Sequence, residues 1–238
     1  MTAMIFAAGL GTRLRPLTDK CPKALVEING TPLLEIVIKK LRSHGFTKII
    51  INIHHFGEQI IHFLEINNDF DLQIEISDER NLLLETGGAL KKAAPLLKDA
   101  PFLVCNADIL TDMDLKTFYD FHCQSDALAT LAVRKRATSR YLQFDDKNIL
   151  SGWRNNKTGE IKVARQTEII QDWAFSGIHV ISPEIFQFMP SEDKFSIIDV
   201  YLKAAQQHEI IAYPHDKDIW LDVGKPEAVK QAANLQWK

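Results

Sequence analysis

Short apolar runs alternate with apolar positions at helical spacing along the first half of the chain. Met4-Ile5-Phe6-Ala7-Ala8 is apolar throughout and is followed at once by Gly9, the pattern of a buried strand that ends where the backbone turns. Leu33, Leu34, Val37, Ile38 and Leu41 then mark a helix, and Lys48 to Ile53 a β-branched strand. Ile60, Ile61 and Leu64 mark a second helix, Leu72 to Ile76 another strand, and Pro101 to Cys105 a fourth. This rhythm predicts an α/β chain with a mostly parallel sheet and helices on both faces, in which ligands bind at the carboxyl ends of the strands.

After a buried strand at Ala127 to Val133 the regularity breaks. Residues Arg134 to Gln171 are polar, interrupted by Asn155-Asn156 and Gly159, and carry short alternating pieces such as Tyr141 to Phe144. The expectation is a small β-rich insertion forming one wall of a cleft. Regular patterning returns with a strand at Ala174 to Val180, an amphipathic helix at Ser196 to Gln206, a strand at Glu209 to Tyr213 and a helix at Pro226 to Leu235 that opens on proline. No internal repeat and no hexapeptide array is present.

Composition narrows the classes. With 238 residues, 46% of them hydrophobic, the chain can bury a large core, and a single domain over 1–238 is expected. A net charge of −3 without a basic arm argues against nucleic acid as a partner. Cys21, Cys105 and Cys123 are odd in number and lack metal spacing, which points to a reducing, cytoplasmic compartment. The first apolar run is too short for a signal peptide, and no stretch approaches the ~20 apolar residues that a membrane span needs, so no membrane partner is expected.

The chemistry concentrates behind the first strand. Gly9 and Gly11 leave backbone N–H groups open to a polyphosphate, while Arg13, Arg15 and Lys23 supply charge-assisted hydrogen bonds. A dinucleotide fingerprint would need glycine where Leu14 stands, and the Walker Gly-Lys-Ser/Thr is missing. Asp108 follows the Phe102 to Cys105 run, and Asp222 lies between Ile219-Trp220-Leu221 and Val223-Gly224. Two such carboxylates are what Mg²⁺ asks for beside substrate oxygens. Glu85-Thr86-Gly87-Gly88-Ala89 precedes a helix expected to begin near Ala89, and its glycines would let a flat ring lie on bare backbone. His54-His55 is a poor metal pair, since neighbours on a strand face opposite ways. Trp153, Trp173, Trp220 and Trp237 are scattered and read as packing residues.

The stretch Ala7 to Lys23 resembles the signature of the sugar-1-phosphate nucleotidyltransferases, an AAGxGTRLRPLT run followed by Pro-Lys. Glu85 to Gly88 is similar to the family's base-reading segment, Asn106 to Asp108 to its first metal aspartate, Phe175 to Ile178 to its sugar-site strand, and Trp220 to Gly224 to its second metal aspartate. The resemblance implies the nucleotide-diphospho-sugar transferase fold: a Rossmann-like, mostly parallel mixed sheet with a small β-rich sugar-binding insertion. The nucleotide-binding half would span 1–133 and the sugar-binding half 134–238. It implies that Ala8, Gly9, Gly11 and Thr12 wrap the nucleotide phosphates and that Arg13 holds the departing pyrophosphate. Lys23 would sit against the reacting phosphates, and Asp108 and Asp222 would hold Mg²⁺. Glu85, Gly87 and Gly88 would frame the base, and Asn106, Ser176 and Gly177 would face the sugar.

Two departures from the family pattern stand out. Ala107 replaces the glycine that many members carry before the first metal aspartate, and Arg165-Gln166-Thr167-Glu168 stands where many have a Glu-Lys-Pro segment, so Glu168 becomes a candidate for sugar hydroxyls. The substrates implied are an NTP and a sugar 1-phosphate, taken by a monomer or small homo-oligomer. The leaning is UTP with N-acetylmuramic acid 1-phosphate; the alternative is mannose- or heptose-1-phosphate guanylyl transfer. Behind these stand glucose-1-phosphate thymidylyl or cytidylyl transfer and a catalytically silent nucleotide-binding regulator.

Overall fold

The computed structural model describes residues 1–235 and 237. In chain order the first elements are β1 (Thr2–Phe6), β2 (Glu27–Ile28), β3 (Thr31–Pro32), α1 (Leu33–Ser43), β4 (Lys48–Ile53), α2 (Gly57–Ile66) and β5 (Gln73–Asp78). They are followed by α3 (Glu85–Leu97), β6 (Phe102–Asn106), β7 (Ile109–Thr111), α4 (Leu115–Cys123), β8 (Ala129–Arg134), β9 (Arg140–Phe144), β10 (Leu150–Asn155) and β11 (Ile161–Val163). β12 (Gln171–Ile181), α5 (Ile197–Ala204), β13 (Ile210–Pro214), β14 (Trp220–Asp222) and α6 (Pro226–Ala233) complete the order. The chain divides into two compact, interleaved units: 1–83 with 104–116 and 218–238, and 84–103 with 117–217.

In the first unit β1 pairs in parallel with β4, and β4 in parallel with β5. The β-branched run of β4 explains its central place, since Ile49, Ile50, Ile51 and Ile53 are all buried. α1 buries Leu33, Leu34, Val37, Ile38 and Leu41, the stripe that its periodicity predicts. Trp220, Leu221 and Asp222 of β14 lie antiparallel to Thr111, Leu110 and Ile109 of β7. That small ladder has no counterpart in the hydrophobic pattern.

In the second unit β12 pairs antiparallel with β8 and with β9, β9 with β10, and β10 with β11. β13 joins β8 in parallel. The sheet is mixed, as expected, and the polar stretch 134–171 supplies three antiparallel strands, the expected β-rich insertion. α3 starts at Glu85 rather than near Ala89, so Gly87 and Gly88 lie within its first turn. α4 is an element beyond those expected, although Leu115, Phe118, Tyr119 and His122 fall at helical spacing and are all buried.

Two buried histidines brace this unit. The ring nitrogens of His122 lie 2.8 Å from Thr130 Oγ1 and 3.0 Å from Ser182 Oγ, and His179 Nδ1 lies 2.5 Å from Tyr201 Oη. Burial pushes His122 down from 6.5 to about 4 and His179 to about 3. Below pH 6.5 the unfolded chain binds a proton at each ring that the folded chain refuses, so stability falls as pH drops from 6.5 toward 4. For His122 the loss between pH 7 and pH 5 should be on the order of 2 kcal/mol. Urea denaturation at both pH values checks this: His122→Gln should show a smaller drop than the native chain, and an unchanged drop refutes it.

Candidate functional site

The glycine loop leaves the carboxyl end of β1, and its two glycines have different reasons to be glycine. Gly11 has φ 65°, and a Cβ there would meet Thr18 Cγ2 at 2.9 Å, so the left-handed turn and the packing both require it. Thr18 Oγ1 also donates to the Gly11 carbonyl at 2.8 Å. A Cβ at Gly9 would meet nothing within 4 Å, which leaves bare backbone facing open space. Ala8 is buried behind it, and Thr12 to Leu14 form a short 3-10 turn anchored by the buried Leu14. Burial of Leu14 fixes the turn from which Arg13 projects.

Asp108 and Asp222 are brought to one place by the β7–β14 ladder. Asp222 pairs with Ile109, and the Val223 N–H donates to the Asp108 carbonyl at 2.8 Å. Lys23 Nζ forms an ion pair with Asp108 Oδ2, and both side chains are mostly buried. The pair is hydrogen-bonded as well as charged, which lets a carboxylate stay in a partly desolvated site. The Ala107 N–H donates to the Phe6 carbonyl at 3.0 Å, a backbone bond that glycine would make as well, and ties the exit of β6 to that of β1; what the departure adds is a buried methyl. Asn106 is the last residue of β6.

Gly224 joins Arg13 to this group. A Cβ on Gly224 would lie 2.7 Å from Asp222 Oδ1 and 2.8 Å from Arg13 Nη2, so the guanidinium and the carboxylate converge over its bare Cα. A cavity of about 310 Å³ opens beside them, with Arg13, Trp220, Asp222, Lys225 and Gln231 in its lining. In the sequence Gly224 reads only as a turn residue. Its position two residues after an aspartate was the available signal.

The second unit holds the remaining candidates. Gly87 and Gly88 N–H groups both point to the Phe195 carbonyl, at 2.9 and 3.3 Å, and a Cβ at Gly87 would strike the Phe195 ring at 2.4 Å. The expected bare platform is thus lined by the chain's own residues 193–195. Lys91 Nζ donates to the carbonyls of Ser191 and Glu192, and Thr86 Oγ1 accepts from the Ile197 N–H, tying that segment to α3. Glu85 has φ 60° and lies 4.0 Å from Lys194 Nζ. Ser176 is 1% exposed, with its hydroxyl 2.7 Å from His215 Nε2, and Gly177 follows with φ 73°. Sequence reasoning misses His215 because nothing in its spacing marks it. Glu168 lies on an exposed stretch. His54 Nδ1 lies 2.7 Å from the Glu79 carbonyl, a backbone contact rather than a metal-binding arrangement.

These contacts separate two glycine substitutions. In Gly88→Ala the new methyl would lie 1.9 Å from the Asp193 backbone oxygen, so it should cost about 2 kcal/mol or more of stability in urea denaturation. In Gly224→Ala it meets only the ends of two side chains, so stability should hold within about 1 kcal/mol while Arg13 and Asp222 are pushed apart. Equal losses of stability would contradict this division.

Comparison with known proteins places the chain in a family. The chain is 31% identical over 246 residues to N-acetylmuramate alpha-1-phosphate uridylyltransferase of Neisseria meningitidis, covering 100% of both chains. It is 30% identical to the enzyme of the same name from Caulobacter vibrioides, over 95% of this chain and 93% of that one. Among solved structures, HddC from Yersinia pseudotuberculosis complexed with GMP-PN superposes with a TM-score of 0.76 at 25% identity, covering 98% of each chain. A family model described as nucleotidyl transferase matches residues 2–237, a span that takes in the glycine loop, Asp108 and Asp222. On that coverage, this chain belongs to the nucleotidyl transferase family.

Proposed function

We propose that this chain transfers a uridylyl group from UTP to N-acetylmuramic acid 1-phosphate and releases pyrophosphate. The observation that carries the reading is similarity over the full length of both chains to an enzyme of that name. The convergence of Arg13, Lys23, Asp108 and Asp222 supports the reaction class.

In this reading a phosphate oxygen of the sugar phosphate attacks the α-phosphorus of the nucleotide in line. The new P–O bond forms as the bond to the β-phosphate breaks, and pyrophosphate departs. A dianion approaches a polyanion, so positioning and charge neutralisation supply most of the rate. Ala8, Gly9, Gly11 and Thr12 offer backbone to the phosphates, Arg13 takes the charge of the leaving pyrophosphate, and Lys23 serves the reacting phosphates. Glu85, Gly87 and Gly88 frame the base, the glycines by admitting residues 193–195 against α3. Asn106, Ser176 and Gly177 shape the sugar side, with the Ser176 hydroxyl engaged by His215.

Asp108 and Asp222 would hold Mg²⁺. The fit rests on donor chemistry: one carboxylate in the turn before β7 and one at the end of β14, their backbones joined by the Val223 N–H to Asp108 carbonyl bond, with Gly224 leaving room for Asp222. Mg²⁺ takes one or two carboxylates and completes its shell with substrate oxygens and water. Bound there, Mg²⁺ would neutralise charge on the α-phosphate and orient the incoming phosphate. Lys23 already bonds Asp108, so it holds that carboxylate in place.

We further read the chain as one catalytic domain over 1–238 and a cytoplasmic enzyme acting as a monomer or small homo-oligomer. Among the described residues no helix is long and apolar enough to cross a membrane. The second reading, guanylyl transfer to mannose or heptose 1-phosphate, draws on the GMP-PN complex of the Yersinia protein.

A matrix of UTP, GTP, CTP, dTTP and ATP against several sugar 1-phosphates with Mg²⁺, read as pyrophosphate release, tests both. UTP with N-acetylmuramic acid 1-phosphate should give the strongest signal, and a dominant GTP cell would select the second reading. Lys23→Ala and Asp108→Asn should each lower turnover by roughly 10²-fold or more, the scale of losing one preorganised electrostatic contact. Retained turnover in either folded variant would sink the site assignment.

A further inference from the structure

The first backbone donor beyond β1 points inward. Ala7 N–H donates to Asn52 Oδ1 at 2.7 Å, and Asn52 Nδ2 donates to Glu79 Oε1 at 2.7 Å. Asn52 is 3% exposed and Glu79 only 1%. The three residues lie across the exits of the parallel strands β1, β4 and β5, where Asn52 is in register with Phe6 and with Ser77. Glu79 is itself fixed through its backbone: its N–H donates to the Ile53 carbonyl at 2.8 Å, and its carbonyl oxygen lies 2.7 Å from His54 Nδ1.

A carboxamide accepts on one side and donates on the other, whereas an ionised carboxylate only accepts. The Ala7 N–H, which can only donate, and Glu79 Oε1, which accepts, together decide which way Asn52 faces. Its NH₂ must turn to Glu79, which leaves its oxygen for Ala7. The reverse orientation would set two acceptors against each other and leave the buried Ala7 N–H opposite a donor, an arrangement that costs far more than a single hydrogen bond gains.

We propose that Glu79, acting through Asn52, sets the orientation of the Ala7 peptide and with it the backbone donors that the following loop, 8–11, presents to the nucleotide phosphates. Both are positioning residues, and neither touches substrate. This rests on the reading of the loop as the nucleotide site. The relay also joins the start of that loop to the exit of β5, so the two strand exits hold one geometry.

The test is a polarity swap. Four variants are compared with the native protein, Asn52→Leu, Asn52→Asp, Glu79→Gln and the double Asn52→Asp/Glu79→Gln, by calorimetric Kd for UTP and for GTP with Mg²⁺, and by KM for each substrate. Glu79→Gln keeps an acceptor for Asn52 and should stay near native. Asn52→Asp sets two carboxylates together, and Asn52→Leu removes the relay. Each should weaken nucleotide binding about tenfold or more while KM for the sugar phosphate changes by less than about threefold. In the double variant the amide introduced at position 79 donates to the carboxylate introduced at position 52, whose other oxygen accepts from the Ala7 N–H, so nucleotide affinity should return to within about threefold of native. A double variant no better than Asn52→Asp overturns the proposal, as does Asn52→Leu raising both KM values in equal ratio. If Asn52→Leu does not fold, the comparison of Asn52→Asp with the double variant decides alone. A native protein that binds neither nucleotide brings down the functional reading and the relay with it, whereas binding that no substitution alters brings down only the relay.

Discussion

One antiparallel pairing of two very short strands sets the geometry of the first unit's candidate site. β7 and β14 come from distant parts of the sequence, yet their register puts Asp222 opposite Ile109 and lets Val223 N–H bond the Asp108 carbonyl. A slip of one residue would turn the side chains of β14 to the other face and break the Val223 to Asp108 backbone bond. Lys23 on Asp108, Gly224 beneath Asp222 and Arg13 over Gly224 all take their places from that register.

The main elements are legible because they are long and periodic. The isoleucine run of β4 and the stripe of α1 can both be read from spacing alone, and so can the turn at Gly9. The β7–β14 ladder cannot, because three-residue strands carry too few positions to show a period and their pairing depends on contacts distant in sequence. α4 has the right periodicity, but it is short and lies between two strands that dominate the local pattern. The mixed sheet follows from the antiparallel pairing of β8–β12, which short alternating pieces such as Tyr141 to Phe144 suggest without giving their order.

At the site, charge and glycine content point to the residues but not to their reasons. Gly9 and Gly11 look alike in sequence, yet one faces open space and the other is held by φ and by Thr18. Gly87 and Gly88 suggest a surface for a planar ring, and they instead admit residues 193–195. His215, Asn52 and Glu79 escape notice because a buried polar partner leaves no local pattern. Only the tertiary structure shows that each completes a hydrogen bond begun elsewhere.

The interleaving of the two units has a consequence for synthesis. Residues 218–238 belong to the first unit but follow all of 117–217 in the chain. A ribosome therefore delivers the glycine loop, Lys23 and Asp108 early, and delivers β14 only after every residue of the second unit has been made. During that interval β7 lacks its partner strand, and Asp108 has Lys23 but not Asp222 beside it. Only the pairing of that late strand brings the Asp222 backbone to that of Asp108, so this corner of the first unit is the last to be completed.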